Sequence, residues 1–153
     1  MSVMWKYLDK RAATIAALKD YGNMKFIIDH TDEQIAAKRD RMVGLASPNM
    51  DGMPHAHNPG AAEDRIVSAV DEIDILQERY RQAEEYMAWF RPAWEQLSDD
   101  EKYVLECFYG DANTYGGNAV YYVAEYFQIE QTSAYKRKNR ALDRLTVLLF
   151  GKS

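Results

Sequence analysis

The sequence predicts an all-α protein in which a long helical hairpin, a coiled-coil-like arm, precedes a smaller helical C-terminal module. Two observations support this fold class. Apolar residues recur at alternating steps of three and four along most of the chain, which is the spacing of a helical face. One stretch rich in proline and glycine separates two such segments and provides the bend of a hairpin. Hydrophobic residues make up 47% of the chain, enough to build a core.

The first predicted helix extends from Val3 to about Tyr21, with apolar residues at helical spacing: Trp5, Leu8, Ala12, Ile15 and Leu18. Gly22 follows, and the helix either bends there or runs through it, because an internal glycine costs only about 1 kcal/mol relative to alanine. A second series continues the spacing: Ile28, Thr31, Ile35, Lys38, Met42 and Leu45. Thr31 and Lys38 are poor residues for a seam between helices.

A loop is predicted over residues 46–61, because three prolines and two glycines between Ser47 and Gly60 prevent a helix or strand from persisting. It is longer than most helix connections in bundles, which span about 2 to 8 residues. His55 and His57 lie in it, but a metal site would need two further fixed ligands that the sequence does not supply. We therefore interpret this stretch as a solvated linker and expect no bound metal or cofactor.

The strongest periodicity begins at Ala62 and lasts for more than four heptads, which predicts a long helix packed along the first one. Its seam comprises Ile66, Ala69, Ile73, Leu76, Tyr80, Ala83, Met87, Phe90, Trp94 and Leu97. Pro92 should kink or restart this helix. A two-helix hairpin alone buries little apolar surface, so we favour a homo-oligomer over the alternative, a monomeric three-helix core with the same pattern.

The C-terminal module opens with a capping box. In it the Ser98 hydroxyl accepts a hydrogen bond from the Glu101 backbone N–H, and the Glu101 carboxylate accepts one from the Ser98 backbone N–H. The helix that follows carries Val104, Leu105 and Phe108 on one face and ends before Gly110. A polar turn over residues 111–117 comes next. These signals divide the chain into residues 1–95, the hairpin that mediates oligomerisation, and residues 96–153.

Two further helices of this module are separated by only three residues, 128–130. The first, from about Asn118 to Phe127, directs Val120, Val123, Ala124 and Phe127 inward. The second, from Gln131 to about Phe150, directs Ala134, Ala141, Leu142 and Leu145 inward. A small residue where the pair must approach, Ala124, and an apolar residue in the turn, Ile129, complete the sequence pattern of a helix-turn-helix.

The second helix of such a pair reads double-stranded DNA, and its polar residues are our candidate contacts. Those on its first turn and outer face are candidates for base edges: Gln131, Thr132, Ser133, Tyr135, Lys136, Asn139 and Arg140. Those that would flank the groove are candidates for phosphates: Arg137, Lys138 and Arg144. This assignment follows from helical phase alone.

The charge of the chain is unevenly distributed. The net charge is −5, yet residues 131–153 contain six basic residues against one acid, and residues 1–130 contain 13 basic against 23 acidic residues. This asymmetry indicates a basic contact surface attached to an acidic, solvated body. A basic amphipathic helix is more often only a solvated face, but here the turn spacing, the local charge reversal and the apolar frame agree.

Several functions are disfavoured by the sequence. Cys107 lies on an apolar helical face and is expected to be a core residue rather than a nucleophile. The acidic clusters, including Asp71, Glu72 and Asp74, lack any glycine-rich phosphate loop, nucleophile motif or metal-ligand spacing, so no enzyme activity is expected. No apolar run is long enough to span a membrane and no secretion signal is recognised, which predicts a soluble, cytoplasmic protein without a membrane partner.

The C-terminal module resembles the fourth region of bacterial sigma factors. Residues 97–105 resemble the opening helix of that region, residues 123–127 resemble its "I-A-x-x-L" helix, and residues 133–142 resemble its recognition helix in a tyrosine-bearing variant typical of phage-encoded proteins. Gln128 replaces the glycine common in the turn, and Ala134 replaces a buried valine. The whole arrangement, including residues 47–54, is similar to the RinA/ArpU family of phage late transcription regulators.

This resemblance implies a sequence-specific DNA-binding transcription regulator of phage or prophage genes, with RNA polymerase as a further candidate partner. Regions for promoter melting and for binding the core polymerase are not recognised. Two alternatives stay open at this point. A packaging protein similar to a small terminase subunit also combines a helix-turn-helix with helical oligomerisation, and a helical interaction protein that does not bind DNA would use the acidic body as its working surface.

Overall fold

The protein is described here by a computed structural model that covers residues 6–46, 59–110 and 115–152. Within these ranges the regular secondary structure is helical and no strand occurs, so the chain is all-α there. The helices are α1 (Lys10–Ala46), α2 (Pro59–Glu95), α3 (Asp99–Tyr109), α4 (Ala119–Phe127) and α5 (Gln131–Phe150). Most of the predicted loop, including His55 and His57, lies outside the described residues. Trp5 lies outside them as well.

Helix α1 begins later than the prediction of Val3 and passes through Gly22 without interruption. Its first turn is capped by Asp9, whose carboxylate accepts a hydrogen bond from the backbone N–H of Ala12 at 3.0 Å. A carboxylate at this position satisfies an otherwise unpaired amide, which fixes the helix start at Lys10. The predicted apolar stripe is correspondingly wrong at its beginning, because Leu8 and Ala12 are exposed.

Helix α2 begins at Pro59, three residues before the predicted start, so the last residues of the predicted loop are helical. Proline suits the first turn of a helix because its missing N–H would have no intrahelical partner there. The sequence predicts a kink or a restart at Pro92, and no restart occurs, since α2 continues through this residue to Glu95. Pro92 lies close to the helix end, so only a short stretch of helix follows the hydrogen bond that its missing N–H removes.

The chain forms two compact units that do not coincide with the predicted division at residue 95. Unit 1 comprises residues 1–24 and 86–153, and unit 2 comprises residues 25–85. The beginning of α1 and the end of α2 belong to unit 1 because they contribute apolar side chains to the same core as α5. That core contains Ala17, Leu18, Phe90, Ala93, Leu97, Leu105, Ala141, Leu142, Leu145 and Leu149.

A second core cluster in unit 1 joins α3, α4 and α5. Its buried members are Val104, Cys107, Val123 and Ala134, and Phe108, Ala124, Phe127 and Ile129 pack partly buried against them. Helix α5 therefore takes part in two clusters. Its first half packs on α3 and α4, and its second half packs on the beginning of α1 and the end of α2. The inward positions predicted for α5 are confirmed, and so is the placement of Cys107 in the core.

In unit 2, α1 and α2 run in opposite directions. Lys38 of α1 forms an ion pair with Glu72 of α2, and Asp32, earlier in α1, lies near Tyr80, later in α2. The seam predicted for α2 is confirmed in this unit, because its members from Ile66 to Ala83 are buried or half-buried. The polar Thr31 is also buried, and its hydroxyl donates to the Ile27 carbonyl, so it leaves no unsatisfied group.

Candidate nucleic-acid interface

The turn between α4 and α5 is a tight three-residue connection. Gln128 adopts a left-handed conformation, with φ 52° and ψ 53°. The Ile129 N–H donates to the Ala124 carbonyl at 2.9 Å, and the Gln128 N–H donates to the Glu125 carbonyl at 3.2 Å. This hydrogen-bond pattern is a Schellman motif, which closes α4 and redirects the chain. Ile129 packs against the core cluster, so α5 leaves the turn in a fixed direction.

The buried residues of α5 define the opposite, outward face by helical phase. Ala134, Ala141 and Leu145 are buried on one side. Thr132, Lys136 and Arg140 follow one another at intervals of four on the other side, and all three are exposed. No ion pair of Lys136 or Arg140 occurs among the described residues. These two cations are therefore available to an external anion.

The structure places the ten predicted contact residues in two groups. The exposed ones are Gln131, Thr132, Tyr135, Lys136, Arg140 and Arg144, and the half-buried ones are Ser133, Arg137, Lys138 and Asn139. The first turn of α5 has no side-chain cap, since its N-cap residue Glu130 makes no such hydrogen bond. Its first backbone N–H groups therefore have no side-chain acceptor from the cap.

Arg137 and Lys138 are held against aromatic rings of the neighbouring helices. The Arg137 guanidinium carbon lies 4.2 Å from the centroid of the Phe127 ring. The Lys138 ammonium lies 5.2 Å from the Phe108 ring and 5.4 Å from the Tyr135 ring. Such cation–π contacts keep the charge at the surface while the side chain packs on α3 and α4.

Arg144 differs from its predicted role as a phosphate contact, because the structure gives it partners within unit 1. Its Nη1 pairs with the Glu101 carboxylate, and its Nη2 donates to the Gln96 carbonyl at 3.1 Å. Glu101 also accepts from the Ser98 backbone N–H at 3.0 Å, which confirms the predicted capping box. Arg144 thus ties α5 to the beginning of α3.

Asn139 has a partner that the sequence analysis did not assign. Arg11, on the first turn of α1, donates from Nη2 to the Asn139 Oδ1 at 2.7 Å. Its Nη1 lies 3.6 Å from the Asp143 Oδ1. Arg11 and Asn139 are 128 positions apart, and no local pattern in the sequence links them. The outward face of α5 therefore includes a cation from the other end of the chain.

The exposed face of α4 was also missed. Tyr121 is 64% exposed, Tyr122 is 45% exposed and Tyr126 is 60% exposed. Tyr126 lies against Tyr103 of α3, with ring centroids 4.3 Å apart. The predicted helix was assigned only by its inward residues, and these tyrosines occupy the remaining positions. The spacing of these tyrosines in the sequence is the signal from which the exposed face of α4 could have been predicted.

Charge is partitioned between the two units. Unit 1 contains 12 basic and 11 acidic residues, whereas unit 2 contains 7 basic and 13 acidic residues. The acidic excess of the chain therefore belongs to unit 2. Within unit 1, five of the basic residues fall between 136 and 144 on α5. Unit 1 is thus nearly neutral as a whole, with a local concentration of cations on α5, of which Arg144 is paired with Glu101.

The ionisable groups beneath this surface are held neutral. Burial raises the pKa of the Cys107 thiol, which hydrogen bonds from Tyr103 and Tyr115 only partly offset. A protonated, buried thiol is a poor nucleophile. Among the described residues no group of three or more histidine, cysteine or acidic side chains is arranged to hold a metal ion.

No helix in the described ranges is long and apolar enough to cross a membrane. Comparison with known protein families, with curated proteins and with solved structures found no match to this chain.

Proposed function

We propose that this protein binds double-stranded DNA through a helix-turn-helix formed by α4, the turn at residues 128–130 and α5, and that it regulates transcription of phage or prophage genes. One observation carries the proposal. Thr132, Lys136 and Arg140 form an exposed face on a helix whose opposite face is fixed in two core clusters, and neither cation has an ion-pair partner within the described part of the chain. A rigid helix that presents polar and basic side chains is what major-groove recognition requires.

The chemistry of this face fits DNA in two ways. Lys136 and Arg140 carry the long cationic side chains that pair with phosphates or with guanine edges. Arg137 and Lys138 flank them, already ordered on aromatic rings, so little side-chain freedom is lost on binding. The first turn of α5, with no side-chain cap, adds backbone N–H donors for a phosphate.

The remaining parts of the proposal rest on the sequence. The assignment to phage late transcription, and RNA polymerase as a partner, follow from the resemblance of the C-terminal module and the linker to the RinA/ArpU regulators. We propose a helical hairpin built from α1 and α2 that makes the protein a homo-oligomer, so that one assembly carries two or more recognition helices. Binding rather than catalysis is the proposed activity, and the proposed location is the cytoplasm.

The experiment that tests DNA binding is a titration of the purified chain against DNA fragments that flank its own gene, at two salt concentrations. We expect discrete, salt-sensitive binding to one fragment. The double variant Lys136→Ala/Arg140→Ala should bind this fragment much more weakly, and the magnitude of the slope of log affinity against log salt should fall by roughly 2 because two phosphate-neutralising cations are gone.

A matched control removes one lysine and one arginine from unit 2, as Lys25→Ala/Arg79→Ala. Both residues are exposed, so the net charge changes equally while α5 stays intact. Retained binding by this control, with loss in the α5 variant and unchanged helicity in both, would support the proposal. No binding by the folded wild-type chain at low salt would overturn it and favour a helical interaction protein. A ring larger than a dimer that binds one packaging site would favour the small-terminase alternative.

A further inference from the structure

Arg11 occupies an unusual position for a residue of α1. Its guanidinium reaches the outward face of α5, where Nη2 donates to the Asn139 Oδ1 at 2.7 Å and Nη1 lies 3.6 Å from the Asp143 Oδ1. The Asp9 cap fixes the start of α1, and Ala17 and Leu18 anchor the helix in the core that also contains the second half of α5. Arg11 is therefore delivered to this face by a packed element.

Asp143 places a negative charge on the face that is proposed to bind DNA. It follows Lys136 and Arg140 on the same side of α5, by helical phase, and its side chain is 63% exposed. A carboxylate at this point would repel phosphates and weaken the attraction of the neighbouring cations. Arg11 is the cation paired with Asp143 in the structure, and Lys10, next to it, instead donates to the Lys152 carbonyl at 3.5 Å. Arg11 thus cancels the one negative charge of residues 131–153.

Asn139 is oriented by the same guanidinium. A guanidinium only donates hydrogen bonds, so the amide oxygen of Asn139 faces Arg11 and its NH₂ group faces away. In this state Arg11 occupies one lone pair of the Asn139 oxygen, and the NH₂ group is the part of the amide directed away from it. The NH₂ group suits an acceptor such as a phosphate oxygen, guanine O6 or thymine O4, whereas the two-bond pairing with adenine also needs the amide oxygen that Arg11 engages.

We propose that Arg11 is a positioning residue of the DNA-binding face, which neutralises Asp143 and holds Asn139 as a hydrogen-bond donor. This inference rests on the proposed function and extends the interface to the other end of the chain. Arg11 acts through Asn139 and Asp143 of α5, so replacing it should weaken DNA binding through these two residues. The ion pair is half-exposed, with side-chain exposures of 47% for Arg11 and 63% for Asp143, so its contribution to stability is small.

A double-mutant cycle tests the proposal with the DNA fragment that the wild-type chain binds. We expect Arg11→Ala to weaken binding by roughly tenfold, the size of coupling found between residues in one charged network. In the Asp143→Asn background, where no carboxylate needs neutralising, the same change should weaken binding by less than about threefold. The loss of DNA binding in Arg11→Lys should lie between these two results. Lysine keeps the positive charge but has no planar guanidinium with which to contact Asn139 and Asp143 together.

The control is Lys25→Ala, which removes a different exposed cation from α1 and should leave DNA binding unchanged. Thermal unfolding of each variant establishes that it is folded. Equal losses from Arg11→Ala in both backgrounds would overturn the proposal, since Asp143 would then play no part in the effect, and so would no loss at all. Loss of binding in Lys136→Ala/Arg140→Ala with no effect of Arg11→Ala overturns this inference alone. Absence of binding by the wild-type chain overturns it together with the proposed function.

Discussion

Single side chains join distant parts of the sequence within unit 1. Arg144 links α5 to the capping box of α3. Tyr86 of α2 donates its hydroxyl to the Ala17 carbonyl of α1. Each of these residues satisfies a carbonyl or carboxylate on another helix and fixes where that helix lies. A polar contact of this kind stabilises the fold modestly.

Gln128 is the residue whose backbone is most clearly strained. Its φ of 52° lies in the left-handed region, where a side chain costs roughly 1 kcal/mol and glycine costs little. We expect Gln128→Gly to raise the free energy of unfolding by about 0.5 to 1 kcal/mol. Urea unfolding measures this change. Gln128→Ala keeps the Cβ atom and is the control, and equal stabilisation by both variants would contradict an origin in backbone strain.

Ala134 is fully buried where α5 meets α3 and α4. A larger side chain there has no space between Val104, Cys107 and Val123, which belong to the same cluster. Ala134→Leu is therefore expected to lower the free energy of unfolding by about 1 to 3 kcal/mol through overpacking. Ala88→Leu makes the same change in size at an exposed position of α2 and should change stability little. A neutral result at Ala134 would show that the cluster has room to rearrange.

At the scale of elements, the helices differ in how their ends are fixed. Helix α1 is capped at its start by the Asp9 side chain, and α3 begins with a full capping box. Helix α5 starts after a turn and has no side-chain cap. The ends with caps are held by local hydrogen bonds, whereas the position of α5 depends on the two core clusters that it joins. This distinction decides which substitutions affect a helix end and which affect the whole module.

The capping box of α3 gives a test at this scale. The Ser98 hydroxyl accepts from the Glu101 N–H at 3.2 Å, and Ser98→Ala removes this acceptor. The free energy of unfolding should fall by about 1 kcal/mol, within the range of 0.5 to 2 kcal/mol known for such caps. Ser98→Asp restores an acceptor and should recover most of the loss. If alanine and aspartate behaved alike, the hydrogen bond would not be the source of the effect.

For the whole molecule, the deprotonation of half-buried tyrosines sets an upper pH limit for stability. Burial raises the pKa values of Tyr86, Tyr103, Tyr109 and Tyr115, and that of Tyr103 reaches about 12. A group with a raised pKa in the folded state stabilises the protein fully below its unfolded pKa of about 10. Between about pH 10 and pH 12 the unfolded chain loses these protons first. Stability should therefore decrease as pH rises through this window.

Urea unfolding at pH 8, 10 and 11 measures that decrease. Tyr103→Phe removes one of the contributing phenols and should make stability less dependent on pH above 10. The control is Tyr121→Phe, because Tyr121 is 64% exposed and should leave the dependence unchanged. If Tyr103→Phe and Tyr121→Phe reduced the pH dependence of stability equally, burial would not be the cause of that dependence.

Oligomerisation is the other property of the whole molecule that can be tested. Unit 2 exposes apolar side chains on α2: Val67 is 58% exposed, Val70 is 41% exposed and Ile75 is 54% exposed. Exposed apolar residues grouped on one element favour association with another chain. Light scattering should therefore give a mass that is a multiple of 17.7 kDa.

The variant Val67→Glu/Val70→Glu should shift this mass towards that of a single chain, because burying two carboxylates in an interface is costly. Ala62→Glu, also exposed on α2, is the control and should keep the wild-type mass. A single-chain mass for the wild-type protein would contradict the proposed homo-oligomer, and an unchanged mass in the double variant would place the interface elsewhere.

Features that depend on neighbouring residues could be predicted from the sequence. The bounds of α5, the capping box of α3 and the seam of α2 were predicted because helical periodicity and caps operate within a few positions. The outward face of α5 was predicted for the same reason. Once its inward residues are known, helical phase places Thr132, Lys136 and Arg140 on the other side.

Contacts between residues far apart in sequence determine which of these side chains have partners within the protein. Arg144 pairs with Glu101, 43 positions away, and Arg11 reaches Asn139 across 128 positions. The two compact units likewise depend on contacts between the beginning of α1, the end of α2 and α5. These contacts arise from the packing of apolar faces, which brings together residues that are far apart in sequence. A pattern that repeats every three or four residues shows that such a face exists but not what it packs against.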